Sequence, residues 1–198
     1  MPASARSAAD ESAAPAPGPG VVTTVGHGRL PGEALAAVVA EAGVVELVDV
    51  RRTPFSRRNP QCNRERLAET LEGVGVAYRW WESLGGRRHA AADSPNEAVT
   101  PADLRGYADH LGTAEARAAV AELARRASAT AVAVMCAEGD PQRCHRRLLA
   151  DALEAVEGLS VVHLTHEGAW TPHRRDPSVR DANGVARWDR GVDRPLDA

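Results

Sequence analysis

Apolar positions between residues 21 and 164 recur in two alternating rhythms. Residues 21–25, 44–50, 76–80, 131–135 and 160–164 are short runs rich in β-branched and aliphatic side chains, with the length and composition of strands. Between them apolar residues return every three or four positions, as they do on one face of a helix. The segment 31–42 opens on Pro31 and stops before Gly43, and 64–72 stops before Gly73, as helix-end chemistry favours. Two further helical segments, 101–111 and 114–127, precede the fourth strand. A last one, 141–157, has Pro141 in its opening turn and Gly158 beyond its end.

Strands alternating with helices predict an α/β fold: a single domain with a mostly parallel sheet of about five strands and helices on both faces. Its expected bounds are 21–167. Residues 1–20 are Ala, Ser, Pro and Gly with scattered charge, a composition that reads as a disordered leader. Residues 168–198, rich in Arg, Asp and Pro, read as an irregular C-terminal tail that Trp170 and Trp188 could pin to the domain.

Parallel sheets bind ligands beyond the carboxyl ends of their strands. That rule selects the segments 26–29, 49–59, the loop after Trp81, and 136–145, and the reactive residue types gather there. The strongest signal is Met135-Cys-Ala-Glu-Gly-Asp-Pro-Gln-Arg-Cys-His-Arg146, an apolar strand end, a polar turn and a helix start. A helix N-terminus favours anions and lowers thiol pKa values, so Cys136 is a candidate nucleophile and His145 a candidate base. The alternative is an inert apolar cysteine at the end of a buried strand. Cys136, Cys144 and His145 lack paired Cys-x-x-Cys or His-x-x-His spacing, and no metal or other cofactor is expected.

The second signal runs from Asp49 to Pro60. A carboxylate at a strand end leads into a loop with Arg51, Arg57, Arg58 and Asn59, a set of donors suited to phosphate or carboxylate oxygens. Asp49 is a candidate base, or an orienting partner for Arg51 or His27. His27 stands between Gly26 and Gly28, and Arg87 follows the Gly85-Gly86 pair. Tyr107, Glu138 and Arg146 complete the expected set of substrate contacts.

Charge and cysteine count narrow the class. The formal net charge is -3, which excludes a generally basic protein that coats DNA, and all 24 basic residues are Arg. Residues 51–66 hold six arginines against the single acid Glu65, so the positive charge is local. Three cysteines and no recognisable signal sequence predict a reducing, cytoplasmic compartment. No apolar run approaches the roughly 20 residues needed to span a bilayer.

Thr24-Val-Gly-His27, Val48-Asp-Val-Arg51, Ser56-Arg-Arg-Asn-Pro-Gln61, Leu84-Gly-Gly86, Arg105-Gly-Tyr-Ala-Asp109, Met135-Cys-Ala-Glu138 and Cys144-His-Arg146 occur in that order. Together they resemble the domain-of-unknown-function 488 family of small bacterial and archaeal proteins, over roughly residues 22–165. The resemblance implies an α/β fold and intracellular residence, and it supplies no activity. Where the family pattern implies an aromatic after Pro60-Gln61, this chain has Cys62, which points to a packing position.

Three functions follow from these residues. One is an enzyme acting on a phosphate-bearing substrate, a nucleotide or nucleic acid, with an arginine clamp and Cys/His/Asp chemistry. A second is a non-catalytic nucleotide or nucleic-acid binding module. The third is a thiol-based redox or sulfur-handling protein using Cys136 and Cys144, with Cys136 expected to be the more reactive thiol.

Overall fold

The computed structural model of the chain describes residues 15–189. Residues 1–14, most of the expected leader, and 190–198, the end of the expected tail, lie outside the described residues. In chain order the elements are β1 (Val21–Gly26), α1 (Gly32–Glu41), β2 (Glu46–Asp49), α2 (Arg64–Glu72), β3 (Ala77–Trp80), α3 (Ala102–Leu111), α4 (Ala114–Ala129), β4 (Val132–Cys136), α5 (Arg146–Ala155), β5 (Ser160–Leu164), β6 (Trp170–Pro172), β7 (Val179–Asp181) and β8 (Ala186–Trp188).

The main sheet has six strands in the order β3-β2-β4-β1-β5-β6. All neighbours are parallel except β6, which runs antiparallel to β5. Alternation along β4 shows why helices cover both faces: Val132, Val134 and Cys136 belong to one apolar cluster, Ala133 and Met135 to the other. The first cluster is closed by α3, α4 and α5, through Leu111, Leu123 and Leu148 among others. The second is closed by α1 and α2, through Leu35, Val39, Leu67 and Leu71. Among the described residues no helix is long and apolar enough to cross a membrane.

The segment after residue 167 differs from the irregular tail expected. It adds β6 to the sheet edge and folds β7 and β8 into a hairpin, and Trp188 is fully buried in the first cluster. Its indole Nε1–H donates to Asp151 Oδ2 at 3.0 Å, while His173 Nε2 lies 2.9 Å from Asp151 Oδ1. The apolar content of this segment is low, so periodicity gave no sign of it; one large ring and a buried carboxylate anchor it instead.

The other difference lies at the start of the last helix. Rather than one helix from Pro141, residues Pro141–Arg143 form a single 3₁₀ turn, Cys144 is extended (φ -121, ψ 152), and α5 begins at Arg146. This break puts the Cys144 sulfur at the mouth of α5 instead of along its side.

Candidate functional site

The register brings three strand ends level. Gly26 of β1 pairs with Cys136 of β4, and Asp49 of β2 pairs with Met135. Past the strands, the His27 N–H donates to the Cys136 carbonyl at 2.9 Å and the Val50 N–H to the Met135 carbonyl at 2.9 Å. The chain therefore leaves all three strands into one cleft of about 810 Å³, whose lining includes His27, Arg51, Asn59, Cys136, Glu138 and His145. Gly26 permits this crowding: a Cβ there would stand 1.9 Å from the Glu138 carbonyl oxygen.

Two thiols form part of the cleft wall. Cys136 Sγ and Cys144 Sγ are 2.8 Å apart, both are free, and they are only 2% and 4% exposed. Cys144 Sγ also accepts from the Arg146 backbone N–H at 3.5 Å and lies 3.5 Å from His145 Nδ1. His145 Nε2 faces the Val50 carbonyl at 3.1 Å, so Nε2 carries the donated hydrogen, and Nδ1 is turned toward Cys144. Arg146, 1% exposed, donates from Nη2 to the Glu138 carbonyl at 2.5 Å and places its buried cation where it acts on both sulfurs.

These neighbours separate the two thiols. The hydrogen bond from Cys136, then His145 and Arg146, hold Cys144 down at about 3 against the effect of burial. Burial first, and then the hydrogen bond to Cys144, push Cys136 well above the ordinary thiol range. The two sulfurs are thus coupled through one hydrogen bond, and the shifts favour ionisation at Cys144 over Cys136. The direction favours Cys144, whereas the sequence put Cys136 first. The break before α5 gives Cys144 the Arg146 N–H and the imidazole, while Cys136 accepts from the Glu138 N–H at 3.3 Å.

Cys136, Cys144 and His145 also offer three ligand atoms within 4.8 Å of one another, the one group among the described residues that could hold a metal ion. Two sulfurs on a tetrahedral zinc at about 2.3 Å stand roughly 3.8 Å apart. The 2.8 Å between these two sulfurs is about 1 Å shorter than that.

The second layer is built on Asp49, which is fully buried. Its carboxylate accepts from the Arg51 backbone N–H at 3.0 Å, from Arg51 Nε at 2.9 Å and Nη2 at 2.5 Å, and from the Tyr78 hydroxyl at 2.6 Å. Burial and the Asp49 charge raise the Tyr78 pKa, so that hydroxyl stays a donor. Arg51 Nη2 also donates to the Cys62 carbonyl at 2.7 Å, tying the arginine loop down. Arg51 Nη1 lies 3.3 Å from His27 Nε2, while His27 Nδ1 faces the Gly28 carbonyl at 3.1 Å. Burial and then the Arg51 cation lower His27 to about 4, so its neutral ring accepts from Arg51. Asp49 orients Arg51 and does not border the cleft, and the His27 lone pair is already engaged; neither geometry suits the expected role of base.

The remaining expected contacts divide. Arg87 and Asn59 border the cleft, but Arg57 and Arg58 are exposed outside its lining. Tyr107 is fully buried, donates to the Leu84 carbonyl at 3.0 Å and meets the His145 ring edge-on at 4.8 Å between centroids. It supports the imidazole rather than a ligand. Arg52 and Arg143, absent from the expected set, are exposed and line the cleft. So does Phe55, the only phenylalanine, which is 63% exposed. Arg52 lies in the arginine-rich run and Arg143 just before the Cys-His pair, so proximity to those motifs was the available signal.

Residues 32–153 match the family model described as Domain of unknown function DUF488. The chain belongs to this family. No curated protein and no solved structure gives a match. The DUF488 match takes in the arginine loop, both cleft cysteines, His145 and Arg146, and stops short of β5 to β8. The glycines of its Leu84-Gly-Gly motif have a place in the site as well: Gly86 borders the cleft and packs against His145.

Proposed function

We propose that this DUF488 protein is an enzyme whose nucleophile is the Cys144 thiolate, acting on an anionic, phosphate-bearing substrate held at the cleft by Arg52, Arg87 and Arg143. The observation that carries the reading is the set of groups on one sulfur: the Cys136 thiol at 2.8 Å, the α5 N–H at 3.5 Å and His145 Nδ1 at 3.5 Å. A structural cysteine needs no such donors, whereas a thiolate nucleophile at neutral pH does.

His145 is the proton carrier, since its Nδ1 faces the sulfur and its other nitrogen is fixed on the Val50 carbonyl. Arg51 shapes the wall while its charge is matched by Asp49. The exposed arginines, free of such a partner carboxylate in their hydrogen bonds, supply attraction for the substrate anion; Arg52 Nη1 is steadied by the Arg87 carbonyl at 3.0 Å.

The test is protection. Inorganic pyrophosphate or a nucleoside monophosphate should slow alkylation of Cys144, and Arg52→Ala with Arg143→Ala should abolish that protection without changing the unprotected rate more than a few-fold. Alkylation of Cys144 that is indifferent to every phosphate compound would remove the substrate assignment.

A further inference from the structure

Resting on the reading of Cys144 as nucleophile, we infer that Cys136 is its resolving thiol, and that the pair performs a two-electron reduction of an anionic substrate with an electrophilic sulfur, such as a disulfide. A nucleophile that only forms and releases an adduct has no use for a second thiol in contact with it. Here the second sulfur is 2.8 Å away, and a disulfide needs about 2.05 Å. Closing the bond asks for less than about 1 Å of movement. The extended backbone of Cys144, between a 3₁₀ turn and α5, is the segment placed to supply it.

The chemistry balances within the pair and its substrate. The Cys144 thiolate attacks one sulfur of the disulfide; the S–S electron pair leaves with the other half as a thiolate, and a mixed disulfide remains on Cys144. Cys136 then attacks Cys144 Sγ, its proton passes to a departing thiolate, and the second half leaves. The protein ends with a Cys136–Cys144 disulfide and the substrate as two thiols, one protonated and one ionised. A low-molecular-weight thiol, two molecules per turnover, returns the pair to the reduced state by the reverse exchange.

Geometry also assigns the order of attack. Both thiols line the cleft, but only Cys144 has the His145 imidazole beside it, and it is 4% exposed against 2% for Cys136 at the end of β4. A substrate adduct on Cys144 would keep its leaving half toward the cleft and its bonded sulfur toward Cys136. Cys62, fully buried with its thiol pushed up by burial, takes no part.

The experiment uses the full chain, reduced and freed of reductant, and the anionic disulfide dithiobis-nitrobenzoate. The wild type should release two equivalents of nitrothiobenzoate in one fast phase, keep no aryl adduct and lose the mass of two hydrogens, with peptide mapping joining Cys136 to Cys144. Cys136→Ser, or Cys136→Ala if the hydroxyl is not tolerated, should release one equivalent and hold a stable adduct on Cys144. A wild type that also retains the adduct overturns the resolving role alone. Slow release by wild type and variants alike overturns it together with the nucleophile assignment.

Discussion

Gly86 stands where any side chain would displace His145: a Cβ built on it would lie 2.7 Å from Nδ1 and 2.9 Å from Cγ of that ring. The imidazole is thus wedged between Gly86 and the edge of Tyr107, with Nδ1 turned to Cys144. Gly86→Ala should leave the protein folded but move the ring, and a displacement near 1 Å costs about 100-fold in a positioned reaction. Parallel measurement of Cys144 reactivity and melting temperature checks this; unchanged reactivity at unchanged stability would contradict it.

Trp188 joins the C-terminal hairpin to Asp151. Trp188→Ala should destabilise by about 3–5 kcal/mol, as large aromatic truncations in cores do. Trp188→Phe keeps most of the ring but leaves Asp151 Oδ2 without the indole donor, which should cost about 1–3 kcal/mol. Denaturant unfolding of both variants measures the difference. A chain ending at residue 167 that melts with the full-length protein would refute this account of the hairpin.

Asp49 and Arg51 are a buried pair, and the carboxylate accepts only from Arg51 and the Tyr78 hydroxyl among the described residues, so removing one partner strands the other. Asp49→Ala should lose about 3–5 kcal/mol of stability. It should also release Arg51 from the Cys62 carbonyl, loosening the arginine loop. Urea unfolding and limited proteolysis between Arg52 and Pro60 read the two effects.

Acid should destabilise the fold through two histidines. His27 and His163 are each lowered from 6.5 to about 4, chiefly by burial. Between those values the unfolded chain binds protons that the folded chain refuses, so stability rises with pH across the window and falls as pH drops from about 6.5 to 4. Each histidine contributes a slope of up to about 1.4 kcal/mol per pH unit. His163 sits in a buried chain from the Thr24 hydroxyl at 2.7 Å to His173 at 3.1 Å. His163→Gln should flatten the dependence measured by urea unfolding across that window; an unchanged slope would show that His163 does not contribute.

The strands, most helix bounds and the converging strand ends were legible because each rests on local apolar periodicity and on Pro or Gly at helix ends. Leu67 and Leu71 of α2, for example, announce their buried face by spacing alone. The place of Cys144 was not legible, since the helical pattern of 141–157 continues through it and only the backbone break lifts its sulfur to the helix mouth. Arg57 and Arg58 were expected at the cleft and Arg52 was not, because charge density along the loop does not show its turn, where the Ser56 hydroxyl accepts from the Arg58 and Asn59 N–H groups. Trp188 was legible as an anchor but not in its target, because Asp151 lies 37 positions away.

The ionisation of Cys144 carries the proposed chemistry. Alkylation by neutral iodoacetamide, followed residue by residue between about pH 5 and 8, separates the three cysteines. With Cys144 held at about 3, its rate should change by no more than a few-fold over that range and should exceed those of Cys136 and Cys62 throughout. A free thiol, with a pKa near 8.5, would lose reactivity about tenfold for each pH unit lowered. A Cys144 rate that follows this tenfold line, or a faster reaction at Cys136, would contradict the assignment.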